Sequence, residues 1–379
     1  MINQELFYME LRRAGVEFFC GVPDSHLNAF CTYLTNNVSD DKHMITANEG
    51  NAISVASGYH FATGTVPLVY MQNSGMGNAL NPLVSLTDRH VYSVPMVLLI
   101  GWRGDPSTRD HDQHKTQGKI TPKLLELLDI PYRIIEDRDD VINETVEWAV
   151  QTAKEISCPT ALIAKNGVMA EKEKKVPPHD DRFTMSREDV INVVLDHAAD
   201  DAILVATTGR ATRELFFLRE ERGETHDNDI LNVGAMGHAS SIAMGIALAM
   251  PDRQVICLDG DSAAIMHLGA MAMASHYHLL NYIHVILNNG AHESVGGQPS
   301  VGHCIDFAAI AQGCGFQRVV TIDNENKLIE ALTICSDDKG STLINARIRQ
   351  GMRPVLPPLN IDHNAIIDGF MNKNIKKEF

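Results

Sequence analysis

The chain has 379 residues, 44% of them hydrophobic and 21% charged, a composition that excludes disorder and leaves room for two domains of ordinary size. A formal charge of −16 and a pI near 5.4 argue against nucleic acid or an anionic membrane as partner, so an anionic substrate would need a local basic pocket. No apolar run reaches the length of a membrane span, Met1-Ile2-Asn3-Gln4-Glu5 lacks a basic segment leading into an apolar core, and the cysteines lack zinc-site spacing, so a cytoplasmic protein with reduced thiols is expected.

Residues 4–14 set Leu6, Phe7, Met9 and Leu11 among charges and predict a first helix, which leads into the short strand Glu17-Phe18-Phe19-Cys20. In the turn Gly21-Val22-Pro23-Asp24-Ser25, the polar residues either face a ligand or cap the helix predicted over 26–35. A strand over 43–47 precedes Asn48-Glu49-Gly50-Asn51-Ala52, which opens a helix of small residues; a glutamate in a first turn ordinarily complements the helix macrodipole. The third strand, 67–71, ends in the Gly-rich loop Gln72-Asn73-Ser74-Gly75-Met76-Gly77-Asn78, a composition suited to close approach of a ligand. After a fourth strand at 95–100, residues 101–118 have the Gly, Arg, Asp and His content of an exposed loop at the same sheet edge. His90, His111 and His114 lie in this region, and each has the alternative of being a solvated loop residue. A strand at 158–164 closes the first sheet, and 171–182, charged and carrying Pro177-Pro178, has linker chemistry.

A second α/β unit starts with a helix over 186–197, whose Ser186-Arg187-Glu188-Asp189 resembles a capping box. The strand 202–206 leads to Thr207-Thr208-Gly209-Arg210, which has the small and hydroxyl residues that a diphosphate would need. Asn232-Val233-Gly234-Ala235-Met236-Gly237-His238 introduces a helix at 240–249; a methionine in such a place ordinarily packs into a core. The buried strand 254–258 ends in Asp259-Gly260-Asp261-Ser262-Ala263, where a helix begins, and the strand 282–287 ends in Asn288-Asn289-Gly290-Ala291. Neighbouring parallel strands would bring Asp261 and Asn289 to one carboxyl edge. A carboxylate beside a carboxamide suits Mg²⁺, which takes few carboxylates and fills its other positions with waters and phosphates; the alternative is a pair of strand-end turns. The helix after Ser262 offers backbone N–H groups to phosphates. Helices near 308–313 and 327–335 and strands at 319–321 and 342–348 complete the second half. The expected fold class is α/β, with two doubly wound parallel-sheet domains at 1–168 and 187–379 and a linker over 169–186.

Gly260-Asp261-Ser262 with Asn288-Asn289, in order after Glu49 and Gly58-Tyr59-His60-Phe61-Ala62-Thr63-Gly64, resembles the paired signatures of the thiamine-diphosphate-dependent decarboxylase family, with Ser262 where Gly is commoner. The resemblance implies a pyrimidine-binding first domain, a diphosphate-binding second domain, and thiamine diphosphate with Mg²⁺ as cofactors. It assigns the ion to Asp261, Asn289 and the backbone carbonyl of Ala291. Glu49 would share a proton with the pyrimidine, Met236 would prop the cofactor into a bent shape, and the carbonyl of Gly234 would accept from its amino group. Asn73, Thr208, Gly209, Gly260, Ser262 and Ala263 are the further cofactor contacts it implies, His114 the catalytic histidine and Ser25 a substrate contact. The stretches 21–25, 72–78, 102–104, 113–118 and 207–215 resemble members acting on a small anionic 2-oxo acid with a phosphonate tail, a sulfonate tail being the alternative. Arg109 and His114 are chosen to meet that tail, because a planar guanidinium holds a phosphonate bidentately. Self-association with active sites between subunits, as a dimer or higher oligomer, is also implied. From another class, a nucleotide-binding α/β module without catalysis would leave Glu49 and Met236 idle.

Overall fold

A computed structural model describes residues 1–169, 182–353, 355–357, 359 and 361–375. The chain divides into two compact units, Met1–Val176 with Ser294–Gln298, and Pro177–Glu293 with Pro299–Phe379. Of the expected linker, Met169 packs in the core of the first unit, Ser186 caps a helix of the second, and 170–181 lie outside the described residues.

The first unit runs α1 (Gln4–Arg13), β1 (Phe19–Gly21), α2 (Asn28–Asn37), β2 (His43–Ile45), α3 (Glu49–Thr63), β3 (Leu68–Gln72) and α4 (Met76–Ser85). It continues with β4 (Val97–Gly101), α5 (Asp112–Leu127), β5 (Tyr132–Ile134), α6 (Ile142–Ile156) and β6 (Thr160–Ala164). Its sheet is parallel, in the order β2-β1-β3-β4-β6-β5. The central strands are apolar throughout because both their faces are covered. Leu68, Tyr70, Val97 and Leu99 pack with Phe7, Phe30 and Val146 of α1, α2 and α6. The alternate residues Val69, Met71, Leu98 and Ile100 pack with Ile53 and Ala79 of α3 and α4. Each such leucine contributes about 1.5–3 kcal/mol on burial.

The second unit runs α7 (Arg187–His197), β7 (Ile203–Ala206), α8 (Arg210–Arg222), β8 (Asp229–Leu231), α9 (Ala239–Ala249), β9 (Val255–Gly260), α10 (Asp261–Met266) and α11 (Ala270–His276). After β10 (Tyr282–Asn288) come the two-residue strands β11 (Ala291–His292) and β12 (Gln298–Pro299), of which Gln298 counts with the first unit. Then follow α12 (Phe307–Cys314), β13 (Arg318–Ile322), α13 (Glu325–Asp337), β14 (Thr342–Arg347) and α14 (His363–Asn374). The expected capping box closes the start of α7: Asp189 N donates to Ser186 Oγ at 3.1 Å and Ser186 N to Asp189 Oδ2 at 2.7 Å. The parallel sheet is ordered β13-β14-β10-β9-β7-β8. With β11 and β12 set aside, this is the strand order of the first sheet read from the opposite edge, so two halves without visible sequence repetition share one topology. In each, the chain leaves its first strand to one side and returns to the other. The resulting switch points lie between the carboxyl ends of β1 and β3 and of β7 and β9, where sheets of this kind take ligands.

Several elements differ from expectation. The loop after β4 ends earlier, because α5 begins at Asp112 and His114 lies in its first turn. Trp102 Nε1 donates to Gly118 O at 2.9 Å, and a Cβ on Gly118 would stand 1.6 Å from Gly104 O, so α5 is pressed against the loop through a glycine. The Gly-rich stretch 72–78 is one tight turn, Asn73–Gly75, followed by the start of α4. α4, α6, α8 and the edge strands β5 and β8 are additions to the expected elements. All seven cysteines are free thiols, and among the described residues no helix is long and apolar enough to cross a membrane.

Two helical glycines should respond oppositely to alanine. Gly58 in α3 has nothing within 4 Å of an added Cβ, so Gly58→Ala is expected to raise stability by about 0.5–1 kcal/mol. Gly118→Ala is expected to lower it by about 1–3 kcal/mol, as overpacking does. Urea unfolding midpoints of the two variants check both signs.

Candidate active site

In the first unit Glu49 opens α3 behind Asn48, whose side chain accepts from Asn51 N at 2.9 Å. A glutamate serving the macrodipole alone would reach into water, but Glu49 is 5% exposed. Its Oε2 accepts from Asn78 Nδ2 of α4 at 2.8 Å. Its Oε1 lies 2.2 Å from where a Cβ on residue 75 would be, so the absence of a side chain at Gly75 is what admits the carboxyl. Burial raises the Glu49 pKa above the ordinary carboxylate value and the Asn78 hydrogen bond opposes the rise. The group is thereby shifted toward holding a proton.

Around the ends of β1 and β4 a second cluster forms. Asp24 is fully buried; His26 N donates to its Oδ2 at 3.0 Å, its Oδ1 has no partner among the described residues, and burial pushes its pKa up to about 6 against the pull of Arg103. Arg103 donates from Nη1 to Ser25 Oγ at 3.1 Å and grips Asp110 bidentately, Nε to Oδ2 at 2.8 Å and Nη2 to Oδ1 at 2.6 Å. His26 and His114 are both drawn down to about 4, first by burial and then by the Arg103 charge, so both are neutral at pH 7. Asn73, expected on the cofactor, spends its side chain on the protein: Oδ1 accepts from Arg103 N at 3.1 Å, and Nδ2 donates to Arg103 O at 2.8 Å and Thr121 Oγ1 at 2.9 Å. Ser25, Arg103, Asp110 and His114 thus belong to one cluster. Arg109 does not join it; it is exposed and makes no ion pair among the described residues. In the sequence Arg103 is one of several basic residues of the same loop as Arg109, and only the folded chain sets it two residues after β4 with Asp110 and Ser25 on it.

In the second unit Asp261 opens α10 and is 2% exposed; Ser300 Oγ donates to its Oδ2, and burial pushes its pKa up to about 6. Asn289 follows β10, the neighbour of β9, so it and Asp261 leave the sheet at the same edge, as expected. Its Oδ1 accepts from Ala291 N at 3.1 Å and its Nδ2 donates to Glu293 Oε2 at 3.0 Å. Of the buried polar atoms with no partner among the described residues, four stand at neighbouring strand ends: Thr207 Oγ1 after β7, Asn232 Nδ2 after β8, Ser262 Oγ after β9 and Asn288 Oδ1 at the end of β10. Buried polar groups are normally paired, so a set gathered at one carboxyl edge beside a desolvated carboxylate fits a polyanion with its cation. The expected contacts Thr208, Gly209, Gly260 and Ala263 stand on the same strand ends. Gly234 and Met236 occupy a turn with Ala235 at φ +47° and Gly237 at φ +86°. Met236 is half-buried and joins none of the buried apolar clusters, so it does not play the usual core part.

Comparison with known proteins agrees with this division. Residues 3–125 match the family described as thiamine pyrophosphate enzyme, N-terminal TPP binding domain, and residues 208–346 match its C-terminal TPP binding domain. A phosphonopyruvate decarboxylase of Streptomyces viridochromogenes is 31% identical over 369 residues, covering 92% of this chain and 90% of that protein. One from Streptomyces hygroscopicus is 32% identical over 370 residues, covering 93% and 88%. A sulfopyruvate decarboxylase of Methanosarcina acetivorans is 25% identical over 354 residues, covering 87% of each. With both halves matched and relatives above 30% identity aligned along nearly its whole length, the chain belongs to the thiamine pyrophosphate enzyme family.

Proposed function

We propose that the chain is a thiamine-diphosphate- and Mg²⁺-dependent lyase that decarboxylates 3-phosphonopyruvate to phosphonoacetaldehyde and CO₂ in phosphonate biosynthesis. The structural observation that carries the enzyme class is the desolvated Asp261 among four unpartnered polar atoms at one sheet edge. The substrate rests on the two relatives named phosphonopyruvate decarboxylase, each aligned over most of its length. The proposal includes a pyrimidine-binding domain at 1–168, a diphosphate-binding domain at 187–379, a cytoplasmic location, and a homo-oligomer with active sites shared between subunits.

Asp261, Asn289 and the carbonyl of Ala291 would hold Mg²⁺, and Thr208, Gly209, Gly260, Ser262 and Ala263 the diphosphate, with Gly234 and Met236 against the rings. Bound there, thiamine diphosphate supplies an electron sink for the pair released when a 2-oxo acid loses CO₂. Glu49 is the proton-holding group. Because Asn78 donates to Oε2, the proton resides on Oε1, the oxygen beside Gly75. Neutral His114 has a ring nitrogen free of charge to accept a proton, and Ser25 orients substrate from the end of β1. For the anionic tail, Arg103 is a stronger candidate than the expected Arg109, since it is half-buried and already held against Ser25.

The function is tested by incubating the protein, thiamine diphosphate and Mg²⁺ with 3-phosphonopyruvate, 3-sulfopyruvate or pyruvate and identifying the aldehyde by NMR. Phosphonopyruvate should give the highest kcat/KM. A preference for the sulfonate would reassign the substrate, and no turnover with any of the three would overturn the reading.

Glu49→Gln should separate chemistry from stability. Decarboxylation should fall by a factor of ~100 or more through loss of the exchangeable acid. The folded pKa of Glu49 is raised, so its ionisation costs stability once the pH passes the unfolded value, and in full above the folded one. The variant should therefore melt higher than wild type at pH 8 and equally near pH 4, read by calorimetry on cofactor-free protein.

Truncating the two arginines discriminates their roles. Arg103→Ala should lower kcat/KM for phosphonopyruvate about 10- to 100-fold more than for pyruvate, the worth of a hydrogen bond to a charged group. Arg109→Ala should leave that ratio within about twofold, as a solvated charge would.

A further inference from the structure

Asn289 presents a chemical ambiguity that Asp261 does not. A carboxylate offers the same oxygen at either end, but a carboxamide has one oxygen and one NH₂, and only the oxygen binds a cation. The oxygen accepts from Ala291 N at 3.1 Å, which leaves its second lone pair for an ion, and the group that holds the NH₂ keeps the amide in that orientation. In this structure that group is Glu293, whose Oε2 accepts from Asn289 Nδ2 at 3.0 Å.

Glu293 is unusually well fixed for a residue just after a two-residue strand. Its side chain is 8% exposed. Oε2 also accepts from Arg187 Nη1 at 2.9 Å, while Oε1 accepts from Arg210 Nη1 at 2.8 Å and from Gly351 N at 2.5 Å. Its backbone carbonyl accepts from Arg210 Nη2 at 2.8 Å. Arg187 is gripped in turn by Glu214, Nε to Oε2 at 2.6 Å and Nη2 to Oε1 at 2.8 Å. Two guanidinium groups face two carboxylates, so the cluster is electrically balanced. With both oxygens of Glu293 occupied by donors, the residue is not itself available to a cation. Arg210 directly follows Thr208-Gly209, so the same cluster joins the loop after β7 to the loop after β10.

We infer that Glu293 is a positioning residue: it captures the NH₂ of Asn289, fixes the carboxamide oxygen as the end available to a divalent cation, and ties that oxygen through Arg210 to the loop after β7. This rests on the reading of Asn289 as a metal ligand. Outer partners of metal ligands typically contribute a factor of 10–100 in metal affinity.

The test is calorimetric titration of Mg²⁺ into the full chain with excess thiamine diphosphate, with thermal unfolding of the metal-free proteins alongside. Glu293→Gln, whose terminal amide no longer demands the NH₂ of Asn289, should weaken Mg²⁺ about 10- to 100-fold. Glu293→Asp keeps the charge that pairs Arg187 and Arg210 but is one methylene short of Asn289; it should fold like wild type and still bind Mg²⁺ more weakly. The decisive background is Asn289→Asp, which has oxygens at both ends and needs no orienting partner. There Glu293→Gln should cost little or improve affinity, by relieving repulsion between two carboxylates, an interaction a double-mutant cycle isolates. Equal losses in both backgrounds, or wild-type affinity in both Glu293 variants, would overturn the inference. If Asn289→Ala itself leaves Mg²⁺ affinity unchanged, the metal-ligand assignment falls and takes the inference with it. If that variant binds weakly while the Glu293 variants bind normally, only the positioning role falls.

Discussion

The constraint on which the molecule depends is that its central strands are covered on both faces. A strand in that position can carry a polar side chain only where a buried partner meets it, so most polar residues are displaced to the strand ends. β3 and β4 follow this closely, with Leu68 to Met71 and Val97 to Ile100 buried without a charged residue. In the second unit the mid-strand pair His284 of β10 and Asp259 of β9 bond each other at 3.2 Å, while Asp261 and Asn289 stand just beyond the last paired residues. Since all the pairings within each sheet are parallel, the carboxyl ends collect at one edge. The switch point then opens a crevice beside them, and the chemistry of both units gathers where the sheets have to be polar.

Burial at that edge has electrostatic consequences of two kinds. Asp24, Glu49 and Asp261 are desolvated carboxyls without a direct cationic contact, and all three are displaced upward in pKa. Asp110, with the same acidic group but a bidentate arginine and two backbone donors, is displaced far downward. The difference lies in the paired charge: Asp110 is in contact with a guanidinium that offsets its desolvation, whereas Asp24, Glu49 and Asp261 are more deeply buried and touch no cation directly. Glu293 resembles Asp110, with Arg187 and Arg210 on its two oxygens.

Much of this was legible in the sequence, for a physical reason. Runs such as 255–258 and 285–287 are apolar because they are central, and a carboxylate or carboxamide closing such a run declares the edge it occupies. Asp261 and Asn289 could be read that way, whereas Glu49 follows the edge strand β2 and stood out only through the family resemblance. The start of α5 could not, since Asp112 to Gly118 has no apolar stripe and the first residues the helix buries, Gly118 and Thr121, are small. Nor could Arg103 be separated from Arg109. Counting charges gives both equal weight, and only the folded chain shows Asp110 and Ser25 closing on one of them. Glu293 was hidden likewise, because its partners Arg187 and Arg210 come from the starts of two other helices.

Open sheets, unlike barrels, leave free edges, here β2 and β5 in one unit and β8 and β13 in the other. Unpaired backbone along an edge is a template for another chain, and long flat edges invite fibrous aggregation. Three of these four strands, β2, β5 and β8, are three residues long, too short to align an incoming strand over more than a pair or two of hydrogen bonds. β13 has five residues, with Arg318 at its start tied to Asp338. Strand addition by a foreign chain would have to begin there, which confines the aggregation hazard of two extended parallel sheets to a single short border.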